Sequence, residues 1–230
     1  MLPGNFRYVF FDADDTLWQN EEFFREAERR FARLLSGFAD EDRIVEVVTR
    51  KQEENIPVFG YGSKTFLLSM LDAAAEICGD AFDAALYLDA KRIVTELACH
   101  EFELMDGVEE VLSVLSARYS LAVATKGDLV EQLGKFRVSG LDKYFHHIEV
   151  LPTKSEDDYL MMARKLDIRP DEILMVGNAV RSDIAPVIAI GGTAIHIPYK
   201  VTWHHEMMEM PVSDRLFEIK SIRNLPELLL

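Results

Sequence analysis

Cysteine is scarce in this chain of 230 residues: Cys78 and Cys99 stand alone, with no CxxC pair and no Cys/His cluster around them. That spacing excludes a thiolate zinc site, and it predicts two reduced, buried thiols in a cytoplasmic protein rather than a disulfide framework. Long apolar runs are missing too. The first is interrupted by Asp12 after a few residues, so neither a secretory leader nor a membrane span is expected. Positive charge is in short supply: 25 Lys and Arg face 40 Asp and Glu, a formal net charge of −15, and no basic cluster offsets it. Such a chain repels the phosphates of nucleic acids and anionic membranes, which excludes both as expected partners. Nucleotide-binding glycine motifs are also absent, since Gly191-Gly192 lacks the GxGxxG context and no GxxxxGK[ST] loop occurs. What is present is 49% hydrophobic residues, enough for one large core or a core with a smaller insertion.

The apolar pattern changes period along the chain. Tyr8 to Phe11 is a short run ending in Asp, the pattern of a strand buried on both faces. From Glu21 to about His100 the apolar residues recur at helical spacing (Phe23, Phe24, Ala27, Phe31, Leu34 and Leu35; then Phe66, Leu67, Met70, Leu71 and Ala74), with one loop expected at Asn55–Gly62, where Pro57, Gly60 and Gly62 fall. After Asp106-Gly107, helices (108–117, 129–136, 157–166) alternate with strands (121–124, 148–151, 173–176, 193–197). That alternation predicts an α/β fold, a doubly wound parallel sheet of Rossmann-like type with right-handed crossovers. The helical excursion is too long for one crossover and reads as an inserted α-helical cap, residues 19–100, in a core formed by 1–18 and 101–230.

In an open parallel sheet ligands bind beyond the carboxyl ends of the strands. The residues there are Asp12, Asp14, Asp15 and Thr16 after the first strand, and Thr125-Lys126-Gly127-Asp128 after the second. Thr153-Lys154-Ser155 follow the third, and Gly177-Asn178 with Ser182-Asp183 follow the fourth. Taken singly each has an ordinary explanation: Asp at a turn or helix N-cap, Thr at a turn, Lys in solvent, Ser155 and Asp158 as a capping box. Together, a carboxylate pair, a hydroxyl, an amine and an Asn/Asp set on one edge meet the needs of metal-assisted phosphoryl transfer.

In that order, FDADDTLW, the Thr of AVATKGD, the Lys of LPTKSEDDY and GNAVRSD resemble the four motifs of the haloacid dehalogenase (HAD) superfamily, over the whole chain. The resemblance implies a hydrolase in which Asp12 is the nucleophile, forming an aspartyl-phosphate, and Asp14 the acid and base. Thr125 and Lys154 would bind the phosphoryl group; Lys126, by its position directly after that Thr, is a further candidate substrate contact. An acid at position 14 favours a phosphatase over a dehalogenase. Asn178 departs from the pattern, standing where an acid normally meets the metal, while Asp183 is retained. Mg²⁺ would then be held by Asp12, the main-chain carbonyl of Asp14 and Asn178, with Asp183 bound directly or through water; a neutral amide oxygen weakens the site relative to a carboxylate. The expected partner is a small-molecule phosphate ester, turned over by a monomer or homodimer.

Two other enzyme or binding classes compete: a phosphomutase with the same motifs, and a low-activity phosphate-binding protein disabled by Asn178. A phospho-acceptor signalling domain is disfavoured by length. His204-His205-Glu206 lacks metal-ligand spacing and reads as structural. Trp203, Lys200 and His204 follow the last expected strand, on the side where substrate could sit. Lys126 is otherwise a solvated lysine, and Met207, Met208 and Met210 read as core filler.

Overall fold

The computed structural model describes residues 5–230 and divides them into two compact units. One contains the chain up to Glu21, Phe102–Lys126 and Gln132–Leu230; the other contains Glu22–Glu101 with Gly127–Glu131.

Strand β1 (Tyr8–Phe11) opens the first unit. The chain then builds α1 (Glu21–Leu34), α2 (Glu41–Phe59), α3 (Ser63–Cys78) and α4 (Ala84–Ala98). Asp40 and Asp83 cap α2 and α4, their carboxylates accepting from Arg43 N at 2.8 Å and Leu86 N at 2.9 Å. Phe31, Leu35, Val47, Val48, Met70, Ala73 and Ala90 form the unit's own dry core. The loop expected at Asn55–Gly62 is a correction: α2 continues through Pro57 and stops at Gly60, where φ is 78°. Proline at that point removes one donor to the carbonyl four residues back, and the helix closes anyway because Gly60 N reaches Ile56 O at 2.9 Å.

Six parallel strands form the sheet of the first unit. To β1 are added β2 (Ser120–Lys126), β3 (His147–Leu151), β4 (Ile173–Gly177), β5 (Thr193–His196) and β6 (Leu216–Glu218) in the order β3-β2-β1-β4-β5-β6. Its helices are α5 (Val108–Ser116), α6 (Leu129–Ser139, the first three residues of which belong to the helical unit), α7 (Glu156–Lys165), α8 (Ala185–Ala189) and α9 (Leu225–Leu229). Alternate residues serve opposite faces: Val9, Phe11, Leu121, Val123, Leu174 and Val176 join Leu112, Leu115, Phe136 and Leu225. Phe10, Ala122, Ala124, Ile173 and Met175 join Tyr159, Met162 and Val187. The period of two thus makes the central strands apolar on both sides, as a doubly wound sheet requires.

Strand β6 was not expected, because three residues are too few to show alternation; its pairing to β5 is a tertiary event. Met207, Met208 and Met210 are exposed rather than core, and of the two free thiols Cys78 is buried but Cys99 is not. No helix among the described residues is long and apolar enough to cross a membrane.

Leu112 is fully buried on α5, whereas Val114 on the same helix is 48% exposed. Leu112→Ala is expected to cost about 2–5 kcal/mol and Val114→Ala within about 0.5 kcal/mol in denaturant unfolding; equal costs would contradict the packing described.

Candidate active site

Asp12 is the first residue beyond β1, fixed by its N–H on Val176 O at 2.9 Å, so its carboxylate emerges between β1 and β4 at the carboxyl edge of the sheet. There it forms an ion pair with the Lys154 ammonium, and Lys154 Nζ lies 2.6 Å from Asp183 Oδ1. All three side chains are buried.

The sequence around Lys154 explains how a lysine is aimed inward. Lys154 has φ of 60°, in the left-handed region that a side chain adopts at some cost. Its neighbours hold the bend. Asp158 Oδ2 accepts from Thr153 Oγ1 at 2.6 Å and from Ser155 N at 2.8 Å, and Ser155 Oγ accepts from Asp158 N at 3.3 Å, completing a capping box at the start of α7. One turn on, the Tyr159 hydroxyl donates to Ser182 O at 2.9 Å, tying α7 to the segment that bears Asp183. Asp183 Oδ2 accepts from Ala179 N at 2.9 Å, and a Cβ on Gly177 would stand 2.3 Å from that same oxygen. Only glycine leaves room for the carboxylate at the end of β4.

Two carboxylates on one ammonium leave surplus negative charge in a dry place. Burial, then the charge of Asp183, push the Asp12 carboxyl up to about 7 despite Lys154. For Lys154, burial works against the charged form but is outweighed by Asp12 and Asp183, which raise it above its ordinary value.

Asn178 follows β4 directly, and its Oδ1 lies 3.3 Å from Thr16 Oγ1, which also lies 3.0 Å from Asp12 Oδ2. The hydroxyl has one proton for these two oxygens. Asp12, Asp183 and Asn178 therefore present an oxygen-only donor set with excess negative charge, which fits a hard divalent cation such as Mg²⁺.

Asp14 is held apart from that cluster. Its Oδ1 accepts from Trp18 Nε1 at 2.7 Å and Lys135 Nζ at 2.8 Å, and its Oδ2 from Gln132 Nε2 at 2.7 Å. Burial would raise this carboxyl, but Lys135, Trp18 and Gln132 outweigh it and lower it. Asp15, with φ of 63°, turns its carboxylate to the N–H groups of Asn20 and Glu21 at 2.9 and 3.1 Å and so starts α1; burial, then the charge of Asp14, push it up to about 8.

Thr125 is the buried penultimate residue of β2, with its hydroxyl 3.3 Å from Lys126 O. The reading of Lys126 as a solvated lysine is corrected: it is largely buried, 2.7 Å from Ser182 Oγ and in an ion pair with Glu206. Trp203 precedes the short 3₁₀ turn His204–Glu206, its ring centroid 4.4 Å from that of His205. Thr16 and Ser182 were collected at the strand ends without a role, whereas Glu206, Gln132 and Lys135 were missed as parts of this network. The last two share a face of α6 at i, i+3, a signal indistinguishable from an ordinary polar face; Glu206 carries no local signal at all.

Residues 6–191 match the family model of the haloacid dehalogenase-like hydrolases, and the chain belongs to that family. It is 23% identical over 198 residues to the glyceraldehyde 3-phosphate phosphatase of Methanopyrus kandleri, covering 82% of each chain. It is 27% identical over 173 residues to the phosphorylated carbohydrates phosphatase of Thermotoga maritima, covering 73% of this chain and 74% of that one. Among solved structures, a haloacid dehalogenase-like family hydrolase from Xanthomonas campestris superposes with a TM-score of 0.88 at 32% identity, covering 98% of this chain and 91% of the other.

Because the native Asp12 carboxyl binds its proton up to about 7 and the unfolded one only near 3.8, its contribution to stability is present below the lower value and lost as pH rises through the higher. Asp12→Asn, which leaves Lys154 one carboxylate, is expected to raise stability in EDTA by on the order of 1–3 kcal/mol at pH 8, with little gain at pH 4. Thermal unfolding at the two pH values checks this; a gain independent of pH, or a loss at pH 8, would contradict it.

Proposed function

We propose that this hydrolase is a Mg²⁺-dependent phosphoric monoester phosphatase acting on a small phosphorylated metabolite of carbohydrate type. The observation that carries the reading is the buried Asp12–Lys154–Asp183 cluster at the end of the central strand, a nucleophile with its charge partner already in place. The names of the two curated relatives support the substrate class. Asp14, two residues after the nucleophile, supports phosphoryl chemistry over dehalogenation, because it supplies the proton-transfer group that a phosphate ester's leaving oxygen needs.

In this reading an Asp12 carboxylate oxygen attacks phosphorus, the ester P–O bond breaks, and the leaving oxygen takes a proton from Asp14. Water then attacks the aspartyl-phosphate, gives its proton to Asp14, and the bond to Asp12 breaks. The conformation of Asp14 seen here, accepting from three donors, suits the second half, in which the group must be a carboxylate. Lys154, and the Thr125 hydroxyl once turned from its own strand, would bind phosphoryl oxygens. Asp12, Asn178, Asp183 and the main-chain oxygen of Asp14 would hold the cation, which when bound offsets the charge of the phosphate. A reducing, cytoplasmic setting belongs to the same reading and is supported by the free thiols of Cys78 and Cys99.

Phosphate release from a panel of sugar and polyol phosphates, with Mg²⁺ or with EDTA, tests the proposal. Release is expected only with the metal, to be abolished by Asp12→Asn, reduced at least about tenfold by Asn178→Ala, and retained by Asn178→Asp with a lower Mg²⁺ requirement. Metal-independent release, or indifference to all three substitutions, would overturn it.

A further inference from the structure

Lys126 is the last residue of β2, adjacent to Thr125, and a buried ammonium there requires a counter-charge. The chain supplies one from 80 residues further on. Glu206 is buried although the residues that follow it, Met207 and Met208, are exposed, and both its oxygens are engaged: Oε1 with Lys126 Nζ, Oε2 with Ser182 Oγ at 2.5 Å. Lys126 Nζ in turn lies 2.7 Å from Ser182 Oγ, so ammonium, hydroxyl and carboxylate contact one another. Ser182 directly precedes Asp183, which bonds Lys154; the two buried ammoniums are thus joined through consecutive residues. Burial would raise the Glu206 carboxyl, but Lys126, then Ser182 and Lys154, outweigh it and keep it low.

Beside a phosphoryl site, a buried lysine is the natural receptor for a second anionic group on the substrate. We propose that Glu206 fills that receptor from within the chain and so restricts the enzyme to phosphate monoesters whose organic part is uncharged. The inference rests on the phosphatase reading and narrows it. A phosphorylated carboxylic acid or a bisphosphate meets Lys126 already neutralised and a fixed carboxylate that repels it. A polyol or sugar phosphate meets hydrogen-bonding groups and no opposing charge.

The test uses two ligands that differ at one group, glycerol 3-phosphate and 3-phosphoglycerate, as competitors of p-nitrophenyl phosphate turnover by the whole protein with Mg²⁺. The wild-type inhibition constants are expected to favour glycerol 3-phosphate by about tenfold or more, the scale of one unfavourable charge contact. Glu206→Gln removes the repelling carboxylate from beside Lys126 and is expected to shift the ratio at least about tenfold toward 3-phosphoglycerate. The double variant Lys126→Met, Glu206→Gln has no unpaired charge to destabilise it and is expected to bind the two within about threefold of each other. A wild-type preference for 3-phosphoglycerate, or a ratio unmoved in both variants, would overturn the inference and leave the phosphatase reading standing. Absence of any p-nitrophenyl phosphate turnover by the wild type would overturn that reading and the inference with it.

Discussion

One ammonium between two carboxylates, all three out of water, is the constraint around which the first unit is arranged. A lone buried charge is too costly to persist, and a buried carboxylate pair without a cation is costlier still, so Lys154 must be held where it is. The left-handed backbone at Lys154, the Thr153, Ser155 and Asp158 hydrogen bonds around it, the Tyr159 tie to Ser182 and the bare Gly177 beneath Asp183 all serve that placement. Each is a local cost or a local lock, and none would be needed if the strand ends carried only turn residues.

The sheet makes the convergence possible. Asp12, Lys154 and Asn178 each follow a strand, while Thr125 and Lys126 finish one, and the strand order places β1 between β2 and β4. Apolar side chains on both faces of β1 fix the register, so that a one-residue slip would bury Asp12 in a hydrophobic layer. The same register leaves the cluster with one negative charge more than its lysine can answer, and burial, then that second carboxylate, raises the Asp12 carboxyl.

Much of this was legible in the residues. Strands β1 to β5 show as short apolar runs, because both faces of a doubly wound sheet are covered, and the helices between them show the 3.6-residue period. The motif residues Asp12, Lys154 and Asp183 could be collected because each follows the end of a strand, directly at Asp12 and by a few residues at Lys154 and Asp183. Pro57 misled, since a proline in a final helical turn sacrifices only one hydrogen bond. The Met207 to Met210 group misled in the opposite way: side-chain type does not reveal that the chain is irregular there. Glu206, Gln132 and Lys135 were illegible as site components, because their roles come from ion pairs and hydrogen bonds spanning 80 to 121 residues, with no local pattern to mark them.

In the proposed chemistry Asp12 is the group that takes the phosphoryl. Acid-quenched protein, sampled during turnover of its best ester and digested for mass spectrometry, would test this directly. The peptide that spans Asp12 is expected to gain the mass of one phosphoryl group, with the adduct absent from Asp12→Asn. Rapid phosphate release with no adduct on that peptide at any sampling time would contradict it.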